Sequence, residues 1–153
     1  MMCKLQNNHR IIPLMNKILI ICLFCFFSTS LYAKQSDKYF KRGLSYYNKK
    51  NIEKAKFNFE KDIVRNTKNI KSYLYLAKIH KQKENSKEFE KNLKTVLVLD
   101  PKNEEALYLI IVKKIKDADY DYAMEKFKIF SKYCNKLCSK KNEIDRLIKK
   151  SKS

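Results

Sequence analysis

The segment SDKYFKRGLSYYNKKNIEKAKFNFEKDIVRNTKN, residues 36–69, is followed without a gap by two segments of the same 34-residue length, 70–103 and 104–137. Aligned on this period, the three segments share residue types at fixed places. The fourth place holds Tyr39, Tyr73 and Leu107, the twentieth Ala55, Phe89 and Ala123, and the twenty-fourth Phe59, Leu93 and Phe127. Self-similarity at such a period is typical of helical repeats, in which stacked neighbours bury a shared core.

Each segment contains two apolar stripes at helical spacing, separated by Asn, Lys and Asp. The stripes predict six helices, at 37–49, 53–66, 70–83, 86–99, 104–116 and 120–134. The residues suited to begin or end these helices are Asn69, Asn85 or Ser86, Asp119 and, as a terminator, Pro101. Gly43 and Ala55 are small where two helices must approach closely, and Phe59 is large enough to fill the resulting gap.

Beyond the third segment, Ile144, Leu147 and Ile148 again lie at helical spacing, and the residues between them are polar. An array needs a last helix with a polar outer face, because no further repeat covers it. We therefore predict a capping helix within 138–150 and a frayed tail at 151–153. The predicted fold class is all-α, an α-solenoid of three 34-residue helix-turn-helix repeats with a C-terminal capping helix.

The first 33 residues differ from the rest of the chain. They contain three basic residues and no acid, then the uncharged run ILIICLFCFF at 18–27, then small and polar residues up to Ala33. This order is typical of a secretory signal peptide, cleaved after Ala33 or Ser30, with Met15 as an alternative start. An uncleaved membrane anchor at 18–33 is the alternative, although a bilayer span needs about 20 apolar residues. We therefore expect export to the periplasm or the extracellular space, or anchoring in the inner membrane.

The repeats resemble the tetratricopeptide repeat family in their period and in several residue types. The matching residues are Tyr39, Gly43, Tyr46, Ala55 and Phe59 in the first segment, Tyr73, Leu76, Ala77 and Pro101 in the second, and Ala123 and Phe127 in the third. The sequence departs from the pattern with His80 and Lys114 where the family has Tyr, and with Ile111 where it has Gly. The resemblance spans 36–137 and implies a stack of paired helices.

In that family the first helices of the repeats line a concave groove that holds an extended peptide or a partner helix. The resemblance places the following residues in this groove: Phe40, Leu44, Tyr47, Lys71, Leu74, Tyr75, Lys78, Lys81, Glu105, Tyr108, Leu109, Val112 and Ile115. Such a wall suits an apolar anchor with an acidic neighbour. Alternatively, several of these side chains pack between repeats. The Lys and Asn clamp with which one subtype holds a C-terminal carboxylate is missing at the matching positions.

Composition argues against catalysis. The 153 residues include one Gly, which excludes glycine-rich phosphate loops and nucleophile elbows. No metal or cofactor is predicted, because His80 is the one histidine after residue 33 and no ligand set stands at metal spacing. We interpret His80 as a packed replacement for the family's Tyr. The sequence therefore predicts a protein that is not an enzyme.

Cys134 and Cys138 are the two cysteines that remain after removal of residues 1–33. On one helix, Cα atoms four residues apart lie about 6 Å apart, within the range that a disulfide permits. An even cysteine count in an exported chain favours a disulfide, and free packing thiols are the alternative.

The chain carries 35 Lys and Arg against 16 Asp and Glu, a net charge of +19. This excess reflects AT-rich codon usage on a solvated surface, or it attracts a polyanion or an anionic membrane. Nucleic acid is not an expected partner, because an export signal takes the protein away from it. The tyrosines also offer no stacking platform for bases if they are buried. The leading hypothesis is an exported protein-interaction module that binds a protein or peptide in its groove. The alternatives are an anchored assembly factor, a polyanion binder and a self-associating scaffold.

Overall fold

The computed structural model describes residues 38–150, and within this range every regular element is a helix. The elements are α1 (38–48), α2 (Ile52–Arg65), α3 (Ile70–Gln82), α4 (Ser86–Leu99), α5 (Glu104–Lys116), α6 (Tyr120–Tyr133), a short 3-10 helix (Cys138–Lys140) and α7 (Lys141–Lys150). The predicted all-α architecture of paired helices is confirmed. The interpretations of 1–33 as a signal peptide and of 151–153 as a tail lie outside the described residues.

The turn inside each helix pair has the same backbone geometry. Lys50, Glu84 and Ala118 have φ values of 58°, 56° and 58°, and successive members are one 34-residue period apart. In all three turns the backbone N–H of the following residue donates to the carbonyl five residues earlier, as from Asn85 to His80 at 2.9 Å. A residue in this left-handed conformation is a common way to end a helix. The repeat is therefore present in the backbone as well as in the residue types.

The helix starts follow the sequence only in part. The side chains of Asn51, Asn85 and Asn103 each accept a hydrogen bond from a backbone N–H in the first turn of α2, α4 and α5. Asn69 and Asp119 occupy the N-cap positions of α3 and α6, as predicted, but their side chains make no capping hydrogen bond. Asn69 instead donates to the buried carboxylate of Asp62 at 2.5 Å, and the Asp119 carboxylate pairs with an ammonium group of α5.

Asp62 is a buried acid that joins the first repeat to the second. Its Oδ2 accepts hydrogen bonds from the Asn69 amide at 2.5 Å and from the Ser72 hydroxyl at 2.6 Å. Asp62 lies on α2 and Ser72 on α3, and both are fully buried. Because a buried carboxylate without partners would be costly, these bonds fix the position of α3 against α2.

The core of the first repeat depends on one close approach. A Cβ atom added at Gly43 would lie 2.7 Å from the ring of Phe59, closer than Cβ atoms come to other atoms. Phe59 and Ala55 are both fully buried. The sequence interpretation, a small residue on α1 facing a large one on α2, is confirmed by this contact. Gly43 is needed for space, since its φ is not positive.

The last described helix, α7, covers α5 and α6. Phe130, Ile144 and Ile148 belong to one apolar cluster that also contains Leu107 and Ile111 of α5. Phe130 is fully buried. Phe127, which the repeat pattern gives as the large core residue of the third segment, is only partly buried against this cluster.

A disulfide joins Cys134 to Cys138, with Cα atoms 5.2 Å apart. The expectation that both lie on one helix is wrong, because α6 ends at Tyr133 and Cys138 begins the 3-10 helix. The carboxylate of Glu104 accepts three backbone N–H groups of the loop between the cysteines, at 2.8, 3.2 and 3.0 Å. These bonds lower the pKa of Glu104, because they stabilise its charged form. The start of α5 thereby holds the connection between α6 and α7.

None of the helices within 38–150 combines the length and apolar character that crossing a bilayer requires.

Candidate functional site

The first helices of the repeats contact one another in order along one face. Tyr47 of α1 lies against Tyr75 of α3, with ring centroids 5.0 Å apart. Lys78 of α3 forms an ion pair of 2.7 Å with Glu105 of α5. Tyr108 of α5 donates a hydrogen bond of 2.8 Å to Glu143 of α7. The predicted groove residues of α1, α3 and α5 that reach the surface therefore share one continuous surface, which we call the first-helix face. Ile115 was predicted for the groove but is buried in the core with Leu107 and Phe130.

An aromatic cluster forms the end of this face that belongs to the first two repeats. Tyr75 stacks on the buried Phe59 ring, with centroids 5.0 Å apart and planes 13° apart. Phe40 lies 6.0 Å from the Tyr75 ring, and Tyr47 meets it edge-on. Phe40, Tyr47 and Tyr75 are each partly exposed. These rings thus hold α1 against α3 and still present aromatic edges to the surroundings.

Several predicted groove residues already have partners within the chain. Lys78 is paired with Glu105, and its ammonium group also lies 4.9 Å from the centre of the Tyr75 ring. The pKa of Tyr108 is raised, first because the phenol is buried and second because it donates to Glu143. Leu74 and Leu109 are partly buried against the core of the second repeat. These side chains support the face, in agreement with the alternative that several of the predicted groove residues pack between repeats.

Two predicted groove lysines are exposed and have no ion-pair partner within 38–150. Lys71 and Lys81 are exposed, and neither forms an ion pair with another residue in the described range. Leu44 and Val112 are partly exposed. The first-helix face therefore combines apolar edges with unpaired positive charge.

A pocket of about 170 Å³ opens where α5 passes the turn between α3 and α4. Its lining consists of His80, Lys81, Glu84, Ser86, Phe89, Leu109, Val112, Lys113 and Lys116. Three of these residues, Lys81, Leu109 and Val112, were predicted for the groove. The other six were not, because the pocket is made by three separate stretches of the chain and repeat alignment treats each stretch by itself.

His80 lies at the wall of this pocket with only 7% of its surface exposed. Its Nδ1 is buried and has no hydrogen-bond partner among the described residues. Burial lowers the pKa of the imidazole below its ordinary value, and the nearby charge of Lys56 lowers the pKa further. Both effects favour the neutral form of the imidazole, and its burial agrees with the interpretation of His80 as a packed replacement for Tyr.

The low pKa of His80 makes stability depend on pH. The unfolded chain binds a proton at His80 below about pH 6.5, and the folded chain resists that proton until a lower pH. The free energy of unfolding should therefore be highest above pH 6.5 and fall as the pH decreases towards the folded pKa. Urea unfolding followed by circular dichroism at pH 7.5, 6.5 and 5.5 measures this loss.

The control for this prediction is His80→Gln, which removes the titrating group and keeps a polar side chain of similar length. The carboxyl groups of Glu53, Glu90, Glu104 and Glu143 have lowered pKa values, so their contributions are lost only below about pH 4.5. Between pH 7.5 and 5.5 the stability of the variant should change less than that of the natural protein. An equal change in both proteins would assign the effect to other groups.

The paired helices, the shared turn geometry and the terminal helix define a TPR-like helical repeat fold. Among solved structures, this fold is similar to the TPR2B domain of yeast Sti1, determined as the TPR2B-domain:pHsp70 complex. The TM-score is 0.64, and the match covers 78% of this chain and 97% of that chain. The sequences are 19% identical, so the likeness establishes the fold. No protein-family model and no curated protein matches the sequence.

Proposed function

We propose that the chain is a non-catalytic interaction module that binds a peptide or protein segment on its first-helix face. The observation that carries this proposal is the face itself, which presents the rings of Phe40, Tyr47 and Tyr75 and, beside Phe40, the ammonium group of Lys71, which has no ion pair within 38–150. Aromatic side chains supply much of the binding energy in protein interfaces, and exposed charges speed association. The TPR2B domain of Sti1, solved in complex with pHsp70, supports the idea that such a scaffold accepts a partner.

Photo-crosslinking in the source cells tests this proposal. A benzophenone amino acid would replace Lys71 or Lys81, which are exposed on the first-helix face, in separate full-length variants. The matched controls replace Lys91 of α4 and Lys128 of α6, which are exposed lysines on second helices. We expect the same partner to be captured from Lys71 and Lys81 and not from the two controls.

Two results would overturn the binding face. Capture from all four positions, lost at high salt, would assign binding to the general positive charge of the surface, as in the polyanion alternative. Capture only from Lys91 or Lys128 would assign it to the second helices. Capture of a second copy of this chain from the first-helix face would identify the partner as the protein itself.

We further propose that the protein is exported and that residues 1–33 are removed. The uncharged run at 18–27 is short for a bilayer span, and a Cys134–Cys138 disulfide is typical of oxidising compartments outside the cytosol. N-terminal sequencing of the protein from its native cell should therefore give Lys34, or Leu31 for the earlier cleavage site. An intact Met1 or Met15 in the membrane fraction would favour the anchored form instead.

A further inference from the structure

The pocket beside His80 has the size of one side chain. Its volume of about 170 Å³ is close to that of apolar cavities of about 150 Å³ that take up benzene. Phe89, Leu109 and Val112 supply apolar walls. A guest ring or branched aliphatic group would therefore gain the free energy of leaving water at these walls.

The rim of the pocket is positively charged. Lys81 and Lys116 are exposed, and neither forms an ion pair within the described part of the chain. Lys113 is paired with Asp117, which lies one residue beyond the end of α5. Glu84 is the single acid in the lining. Two free ammonium groups beside an apolar opening favour a guest that carries negative charge next to its apolar group.

The buried imidazole of His80 adds a polar group to this wall. Its Nδ1 makes no hydrogen bond within the described residues, although buried polar atoms are ordinarily paired. The other buried polar side chains within 38–150 are paired, as Asn92 of α4 shows by donating to the Glu88 carbonyl at 2.7 Å. Because Nδ1 is itself buried, a guest in the pocket would contact other atoms of the imidazole ring.

We propose that this pocket is a subsite of the first-helix face that holds one aromatic or branched aliphatic side chain of an acidic peptide segment. The assignment rests on the proposed function and adds the chemistry of the partner. The apolar side chain enters between Phe89 and Val112, and flanking carboxylates lie beside Lys81 and Lys116. Val112 and Lys81 belong to the first-helix face, so a peptide bound there continues naturally into the pocket.

Three fluorescein-labelled nonapeptides provide the probes. The first has a central Phe flanked on each side by Asp and Glu, the second has Ala in place of Phe, and the third has Lys in place of every acid. Fluorescence anisotropy with the full chain at low salt should show binding of the first peptide at least about tenfold tighter than of the other two. Equal affinity for the Phe and Ala peptides would overturn the apolar subsite, and equal affinity for the basic peptide would overturn the acidic preference.

A matched pair of variants tests whether the peptide binds in this pocket. Val112→Phe fills the pocket, whereas Val98→Phe makes the same change on α4 at a residue with 80% exposure. We expect Val112→Phe to weaken binding of the acidic Phe peptide about tenfold and Val98→Phe to leave it unchanged. Equal binding by the two variants would overturn the assignment. Circular dichroism checks that both are folded, and the Phe-to-Ala peptide comparison does not depend on any variant.

The charged rim is tested by neutralising Lys81 and Lys116 together to Gln. The control neutralises Lys49 and Lys128, two exposed lysines that do not line the pocket. The first double variant should bind the acidic Phe peptide several-fold more weakly at low salt, and the difference should shrink as salt screens the charges. An equal loss in both double variants would assign the effect to net charge and contradict the rim.

The pocket assignment and the proposed binding on the first-helix face can be refuted independently. If Val112→Phe leaves peptide binding intact while crosslinks from Lys71 persist, the pocket assignment is wrong and the proposed function stands. If the acidic Phe peptide does not bind at all up to millimolar concentration, the subsite is likewise wrong, whatever partner is captured from Lys71.

Discussion

Replacing Phe59 with Ala is expected to lower the free energy of unfolding by about 3–5 kcal/mol, as large-to-small changes at core aromatic residues do. Phe59 of α2 is fully buried, and its ring contacts Phe40 of α1 and Tyr75 of α3. Its ring stacks on Tyr75, lies near the ring of Phe40 and fills the space in which a side chain at position 43 would stand. The substitution leaves a cavity at the point where three helices meet, and Gly43 has no side chain with which to fill it.

Urea unfolding of the full-length variant, followed by circular dichroism, measures this loss. Because a domain of this size has about 5–15 kcal/mol of stability in total, the melting temperature should also fall clearly. Lys94→Ala is the control, since this side chain is half-exposed and its ion pair with Glu90 contributes little. The control should stay within about 0.5 kcal/mol of the natural protein. Similar losses in both variants would mean that Phe59 is not a core residue.

The repeat period is the feature that sequence reasoning could establish most firmly. A 34-residue spacing fixes which residues take equivalent places, and the structure repeats its left-handed turn residue at 50, 84 and 118. The pairing of Gly43 with Phe59 was also accessible, because a small and a large residue on adjacent helices imply a close approach. These features depend on local spacing, which a sequence contains directly.

Features that depend on where the array ends were less accessible. The pattern gives Phe127 as the core residue of the third repeat because it aligns with Phe59 and Leu93. In the structure α7 lies over α6 and buries Phe130 more completely. A terminal helix packs at its own angle, and no repeat period specifies that angle. The same reason explains why Cys134 and Cys138 face each other across a loop instead of along a helix.

The candidate site likewise has features that the sequence predicts and features that it does not. The resemblance placed the right helices on one face, and Tyr47 and Tyr75 meet there. It left open which groove residues have partners within the chain, and it did not single out Lys78 and Tyr108, because their partners Glu105 and Glu143 lie 27 and 35 residues away. The resemblance also gave no indication of the pocket beside His80. That pocket depends on the distance between a turn and a helix of the next repeat.

The second large effect is expected at Phe130, where the end of the array is held. Phe130→Ala should lower the free energy of unfolding by about 3–5 kcal/mol, because the ring is fully buried among α5, α6 and α7. Ile144 and Ile148 of α7 pack in the same cluster, so the cavity loosens the capping helix first. Loss of that cover would expose Leu107 and Ile111 of α5, which belong to the same cluster.

Phe127→Ala is the matched control, because it makes the same change three residues earlier on the same helix. Phe127 is only partly buried, so its loss should cost at most about 2 kcal/mol. Hydrogen exchange separates the two further: Phe130→Ala should speed exchange of the α7 amides more than those of α3, whereas Phe127→Ala should leave the two helices more nearly alike. If Phe127→Ala proves the more damaging change, the third repeat follows the 34-residue pattern, and α7 covers the array in a different position from the one described here.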